Sequence, residues 1–165
     1  MNLDQLEAVA KEYLAVLQQY SQHYKRAGER FIDLSFYAML NGRFANMSRQ
    51  LRLYVPSSSY PLRIDYRCGG NNPVLIELAV RPFKGGQQFD AKPNRDELRK
   101  LARFPFSRAR VCVLLLLDLY PRPKKKALLR RDYTAITSEP GRYTRHPVTV
   151  MYIHEKHDFR FEWCR

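Results

Sequence analysis

Leu62-Arg63-Ile64-Asp65-Tyr66-Arg67-Cys68, then Gly69-Gly70-Asn71-Asn72-Pro73, then Val74-Leu75-Ile76-Glu77-Leu78-Ala79-Val80 reads as two β-strands joined by a short turn. The Gly/Asn/Pro cluster is a turn signal, and both flanking runs are rich in β-formers. Pairing Cys68 with Val74 sets Asp65 opposite Glu77 and Arg63 opposite Ala79. Period-two alternation then gives Arg63, Asp65, Arg67, Glu77, Ala79 and Arg81 one face. Leu62, Ile64, Val74, Ile76, Leu78 and Val80 form the other, the expected core face. Two carboxylates directly opposed in a sheet repel. A bound cation relieves that repulsion, and carboxylate oxygens are what Mg²⁺ takes. The alternative is an exposed hairpin whose acids pair with Arg63, Arg67 and Arg81, each pair contributing about 0–1 kcal/mol.

Outward from the hairpin, Leu3, Leu6, Ala10, Tyr13, Leu17 and Tyr20 recur at helical spacing over 2–24, and Gly28 breaks the pattern. A second helix is expected from Glu29 to Leu40, with Phe31, Leu34, Ala38 and either Phe36 or Tyr37 inward and Asn41-Gly42 as its stop. A first strand covers 50–55. After a Gly/Gln/Pro loop over 81–93, Asn94-Arg95-Asp96-Glu97 has the form of a helix start, with Asn94 as N-cap. Val111-Cys112-Val113-Leu114-Leu115-Leu116-Leu117 has no polar member, as in a strand buried on both faces. A short basic helix over 124–133 and a hairpin over 148–163, turning at His154–His157, complete the chain. The expectation is an α/β fold, a mixed sheet flanked by helices in one domain over 1–165.

The chain of 165 residues carries 29 Lys and Arg against 16 Asp and Glu, a net charge of +13. That balance points to a polyanionic partner, nucleic acid first and an acidic protein second. The three cysteines, Cys68, Cys112 and Cys164, lack zinc-ligand spacing and read as reduced thiols. The acidic, amphipathic start is unlike a signal peptide, and no apolar run approaches the ~20 residues of a membrane span. A cytoplasmic protein without a membrane partner is expected; its oligomeric state is not read from sequence.

Helix, three meandering strands, a helical crossover and a buried strand, with Asp65 and Glu77 on strands two and three, resemble the PD-(D/E)xK, or restriction-endonuclease-like, nuclease superfamily over about 28–120. The resemblance implies an α-β-β-β-α-β core, here with an added N-terminal helix (1–27) and a C-terminal basic helix and hairpin (121–165). It also implies hydrolysis of DNA phosphodiesters with Mg²⁺ or Mn²⁺. Asp65 and Glu77 match its metal ligands, and Glu29 matches the helical acid that assists them; Glu29 and its neighbour Asp33 equally suit a helix N-terminus. Ala79 stands where the family has lysine. Phosphoryl transfer needs a positive group near the attacked phosphate. Arg63, opposite Ala79 in this register, is the first candidate for that catalytic part; Arg81, Lys84 and Lys100 are the others. Guanidinium does not deprotonate, so Arg63 serves only as an electrostatic clamp. A degenerate nuclease that kept the scaffold and binds nucleic acid or an acidic protein is the alternative.

Phosphate contacts are expected from two basic segments. Arg95, Arg99 and Arg103 repeat along one helix face beside Lys100. Arg122, Lys124, Lys125, Lys126, Arg130 and Arg131 form the densest positive cluster. His154 and His157 flank a turn and have no assigned role. No glycine-rich phosphate loop or Ser/His/Asp set is present.

Overall fold

A computed structural model of the chain describes residues 1–20, 29–54, 59–83, 89, 91–104, 109, 111–136 and 147–163, without the side chains of Glu29 and 91–93. The elements are α1 (Leu3–Gln19), α2 (Glu29–Asn41), β1 (Met47–Leu53), β2 (Leu62–Cys68), β3 (Val74–Arg81), α3 (Ala91–Ala102), β4 (Val111–Asp118), α4 (Lys126–Thr134), β5 (Val148–His154) and β6 (His157–Trp163). One mixed sheet holds six strands in chain order, β1 to β6. β3, β4 and β5 are mutually parallel; the other pairings are antiparallel.

The apolar run of β4 lies at the centre and divides the core into two layers. Cys112, Leu114 and Leu116 pack with Leu98 and Leu101 of α3 and Leu129 and Tyr133 of α4. Val113, Leu115 and Leu117 pack with Leu6, Leu14 and Leu17 of α1 and Ile32, Phe36 and Leu40 of α2. An Asn2–Gln5 capping box starts α1.

Three expectations change. In α2 the inward stripe is Ile32, Phe36 and Leu40; of the residues expected inward Phe36 is buried, while Phe31, Leu34 and Ala38 are exposed. Two stripes with similar hydrophobic spacing competed, and the one carrying the aromatic Phe36 against Tyr13 and Tyr66 is buried. Helix α3 begins at Ala91, so Asn94 is inside it; its side chain is buried and donates to Tyr133 Oη at 2.9 Å. Pro93 is tolerated there because the first-turn amides have no intrahelical acceptor. Third, β1 starts at Met47, earlier than expected, and Gln50 within it has φ +52°.

That left-handed residue changes the side of the sheet its strand presents. Met47 packs toward α2 but Leu53 packs toward α3. Gln50 falls opposite Asp65 in the β1–β2 register, and β2 changes side at the same level: Tyr66 faces α2, Ile64 and Leu62 face α3. The single expected core face is therefore wrong for β2, because alternation assumes an unbroken pleat. The 69–73 turn agrees with expectation, with Cys68 opposite Val74 and Gly69 at φ +104°, a conformation open to glycine.

At the far ends of the parallel strands Arg81 and Asp118 form a buried, bidentate pair, Nε–Oδ1 2.7 Å and Nη2–Oδ2 2.5 Å. Tyr152 Oη donates to Asp118, and the Arg122 carbonyl accepts from Arg81. This set holds the chain where it leaves β4. Breaking a buried pair by removing one partner costs about 3–5 kcal/mol, since the other charge stays buried alone. Arg81→Met is expected to lose that much in urea denaturation, and Arg81→Met with Asp118→Leu to recover most of it.

Candidate functional site

The register of the central hairpin holds only as far as the Tyr66–Ile76 pair. Beyond it β2 and β3 diverge, because β2 has changed side at Asp65. Continued, the register would set Leu78 opposite Ile64; the Leu78 amide instead donates to Asp65 Oδ2 at 2.9 Å. The carboxylate thus satisfies a backbone donor that the broken ladder leaves without its usual acceptor.

Asp65 and Glu77 approach this gap from two sides. Asp65 opens toward α2, into a pocket of about 520 Å³ lined by Arg30, Asp33, Arg49, Gln50, Arg63, Leu78 and Val80. Glu77 is buried on the α3 side, 2% exposed, with Ala79 partly buried on the same face. The two carboxylates still sense each other. Burial first, and then the Asp65 charge, push the Glu77 carboxyl up to about 10. A shared face for the acids was expected; the change of side at Asp65 instead puts Asp65 on the α2 side of the sheet and Glu77 on the α3 side.

Lysine reaches Glu77 from the helix rather than from the strand. Lys100 Nζ lies 2.7 Å from Glu77 Oε1 and 2.5 Å from Glu97 Oε2. Burial lowers the Lys100 pKa, but the Glu77 and Glu97 carboxylates outweigh it and raise the group overall. An ammonium therefore stands on the face shared by Glu77 and Ala79.

The remaining candidates for that positive charge are elsewhere. Arg63 is not across the sheet from Ala79: it pairs with Arg52 of β1, and its guanidinium donates to Gln50 Oε1 on the α2 side. Arg81 is committed to Asp118. Lys84 and the side chain of Glu29 lie outside the described residues. Asp33 is held by Arg49 and by Tyr66 Oη, 2.5 Å from Asp33 Oδ1. Tyr66 and Arg49 were missed from sequence, since nothing in their spacing marks a link from α2 to the sheet.

Among the described residues no group of three or more His, Cys, Asp or Glu side chains is arranged to hold a metal ion. Asp65 and Glu77 offer the oxygen donors a hard divalent cation takes, but Glu77, whose carboxyl burial and the Asp65 charge hold protonated, has to release its proton to bind one. Mg²⁺ commonly takes one or two carboxylates and keeps several waters.

The basic residues divide between two helices on the α3–α4 face. On α3, Arg95 and Arg99 lie 3.5 and 3.6 Å from Asp96, so part of that charge is compensated; Arg103, just past the helix, is half-buried. Lys125, Lys126, Arg130 and Arg131 are exposed on and beside α4, with Arg122 just before them; Lys124 is half-buried, and its amide donates to Tyr152 Oη at 2.8 Å. His154 and His157 bind backbone carbonyls, those of Tyr120 and Lys124. Cys68 and Cys112 are buried thiols; Cys164 lies outside the described residues. No helix among the described residues is long and apolar enough to cross a membrane. Comparison with protein-family models, with curated proteins and with solved structures finds no match to this chain.

Glu77 gives stability a pH dependence of fixed sign. Its folded pKa of about 10 lies above the ordinary 4.5, so between those values the folded state keeps a proton that the unfolded chain releases. Stability then falls as pH rises through that window. Glu77→Gln is expected to remove this decline: its melting temperature should match wild type near pH 4 and exceed it increasingly toward about pH 9. Equal slopes for the two proteins would place the Glu77 titration at its ordinary value.

Proposed function

We propose that this protein binds nucleic acid on a restriction-endonuclease-like scaffold and hydrolyses DNA phosphodiesters in a metal-dependent reaction, with Asp65, Glu77 and Lys100 as its site. The carrying observation is the Lys100 ammonium 2.7 Å from Glu77, on the face where Ala79 replaces the superfamily's lysine. The order of α2, β1, β2, β3, α3 and β4 and the parallel β3–β4 pair support the same reading.

Asp65 and Glu77 would hold Mg²⁺ or Mn²⁺, which when bound activates water and offsets charge on the phosphoryl oxygens. Lys100, half-buried beside the buried Glu77, supplies a positive charge that stabilises the charge developing on the phosphoryl oxygens. Asp65 is fixed by the Leu78 amide and so needs little reorganisation. Lys125, Lys126, Arg130 and Arg131 take backbone phosphates and provide affinity without sequence information. A second reading, a binding module descended from a nuclease, draws on the same contact: Lys100 gives the buried Glu77 a partner within the protein itself.

Cleavage of plasmid and single-stranded DNA with Mg²⁺ or Mn²⁺ separates the two. Under the nuclease reading, Lys100→Ala lowers the rate by about 10²–10³ while DNA affinity is nearly unchanged. Replacing Lys124, Lys125 and Lys126 by Ala weakens binding and reduces its salt dependence, since fewer counterions are released. A wild type inert with both metals, and an inert Ala79→Lys variant, would leave the binding module. DNA binding absent at low salt would remove both readings and favour an acidic protein partner.

A further inference from the structure

The pocket on the α2 side of the sheet is not used by this reading, which draws on the α3–α4 face and meets the pocket only at Asp65. Three guanidiniums line it, those of Arg30, Arg49 and Arg63, with two carboxylates. Both carboxylates are already engaged. Asp33 accepts from Arg49 Nε at 3.1 Å and from Tyr66 Oη, and Asp65 Oδ2 accepts from the Leu78 amide. Of the guanidiniums, only Arg49 has a carboxylate partner among the described residues. Arg63 donates to a neutral amide oxygen, that of Gln50, and Arg30 is exposed.

The Gln50–Arg63 contact depends on an uncommon backbone. Gln50 adopts φ +52° in the interior of a strand, a region that non-glycine residues seldom occupy. Such strain persists where the surrounding structure enforces it, and it is commonest at functional sites. Here the left-handed turn coincides with the level at which β1 and β2 change sides, and the Gln50 side chain is the hydrogen-bond acceptor that holds the Arg63 guanidinium at the pocket wall. A neutral acceptor steers a guanidinium without neutralising it. A volume of about 520 Å³ falls in the range of small-ligand sites, and its polar lining excludes an apolar occupant.

We infer that this pocket is a phosphate-recognition site, in which Arg63 and Arg30 bind the phosphoryl oxygens of a nucleotide and Gln50 orients Arg63. Planar guanidiniums suit phosphate because their paired N–H groups match two of its oxygens. The site lies across the sheet from the basic α4 helix, so the inference does not rest on cleavage by Asp65, Glu77 and Lys100. The phosphoryl group belongs either to a free nucleotide or to the end of a nucleic-acid strand, and the chemistry at the pocket is the same for both.

The test is calorimetric titration of the full chain in EDTA, so that no divalent cation takes part. Inorganic phosphate and adenosine 5′-monophosphate are the small probes; an oligonucleotide with a 5′-phosphate and its 5′-hydroxyl counterpart are the strand probes. Saturable binding of the small probes is expected, weakened about tenfold by Arg63→Gln and to a lesser degree by Arg30→Gln, with melting temperatures unchanged. A 5′-phosphate preference that disappears in Arg63→Gln assigns the pocket to strand ends, and binding of the small probes alone assigns it to a free nucleotide. Absence of saturable binding by every probe, or affinity undiminished in both arginine variants, overturns the inference.

Discussion

A strand without a polar side chain between Val111 and Leu117 has no face to offer water, and the architecture follows from that constraint. Its alternate residues require cover on two sides, which α1 and α2 give on one and α3 and α4 on the other. Each helix pair is amphipathic because it has one apolar layer to meet and one surface to wet. The parallel partners β3 and β5 flank it and share its burial; the polarity of the molecule is thereby pushed to the helix surfaces and strand ends. Asp118, the first polar residue after the run, is fully buried and needs Arg81 and Tyr152 as partners. The costs of burying it are met by that network rather than by solvent.

Toward its β1–β2 edge the sheet departs from regularity, and charged side chains gather beside the break. Gln50 and Asp65 lie opposite each other at the level where β1 and β2 change sides, so the β2–β3 ladder stops and a carboxylate takes a backbone amide in its place. A sheet interior is otherwise occupied by its own hydrogen bonds. Interrupting the ladder leaves room for charged side chains from both faces to approach one point, with Asp65 on one side and Glu77 and Lys100 on the other. The break in the ladder and the gathering of these charged groups fall at one level of the sheet.

The parts of the fold that sequence conveyed are those ruled by periodicity and turn chemistry. The five residues Gly69–Pro73 specified both the hairpin and its register near the turn, and the apolar run of β4 specified burial on two faces. Alternation failed at Asp65 because it carries no information about a change of pleat, and φ +52° at a glutamine has no composition signal. The inward stripe of α2 was misread because Phe31 and Leu34 offer as much apolar surface as Ile32 and Leu40; tertiary packing chose between them. Asp65 and Glu77 were legible as two neighbouring acids, but not the opposite sides of the sheet they take. Lys100 was legible only as one of several cations, because its approach to Glu77 depends on how α3 lies over β3, a relation between residues far apart in the chain.

The order of strands in the sheet has a kinetic consequence. Since β1 to β6 lie in chain order, every pairing joins neighbours in sequence, and the sheet grows only at its edges. No strand has to enter between two that are already joined. The hairpins β2–β3 and β5–β6 close short loops and are suited to form first; the two crossovers through α3 and α4 close longer ones. A chain emerging from the ribosome can therefore add each strand to the last without undoing earlier pairings. The slow events are then the docking of β4 beside β3 and of β5 beside β4, when the long apolar run is covered for the first time.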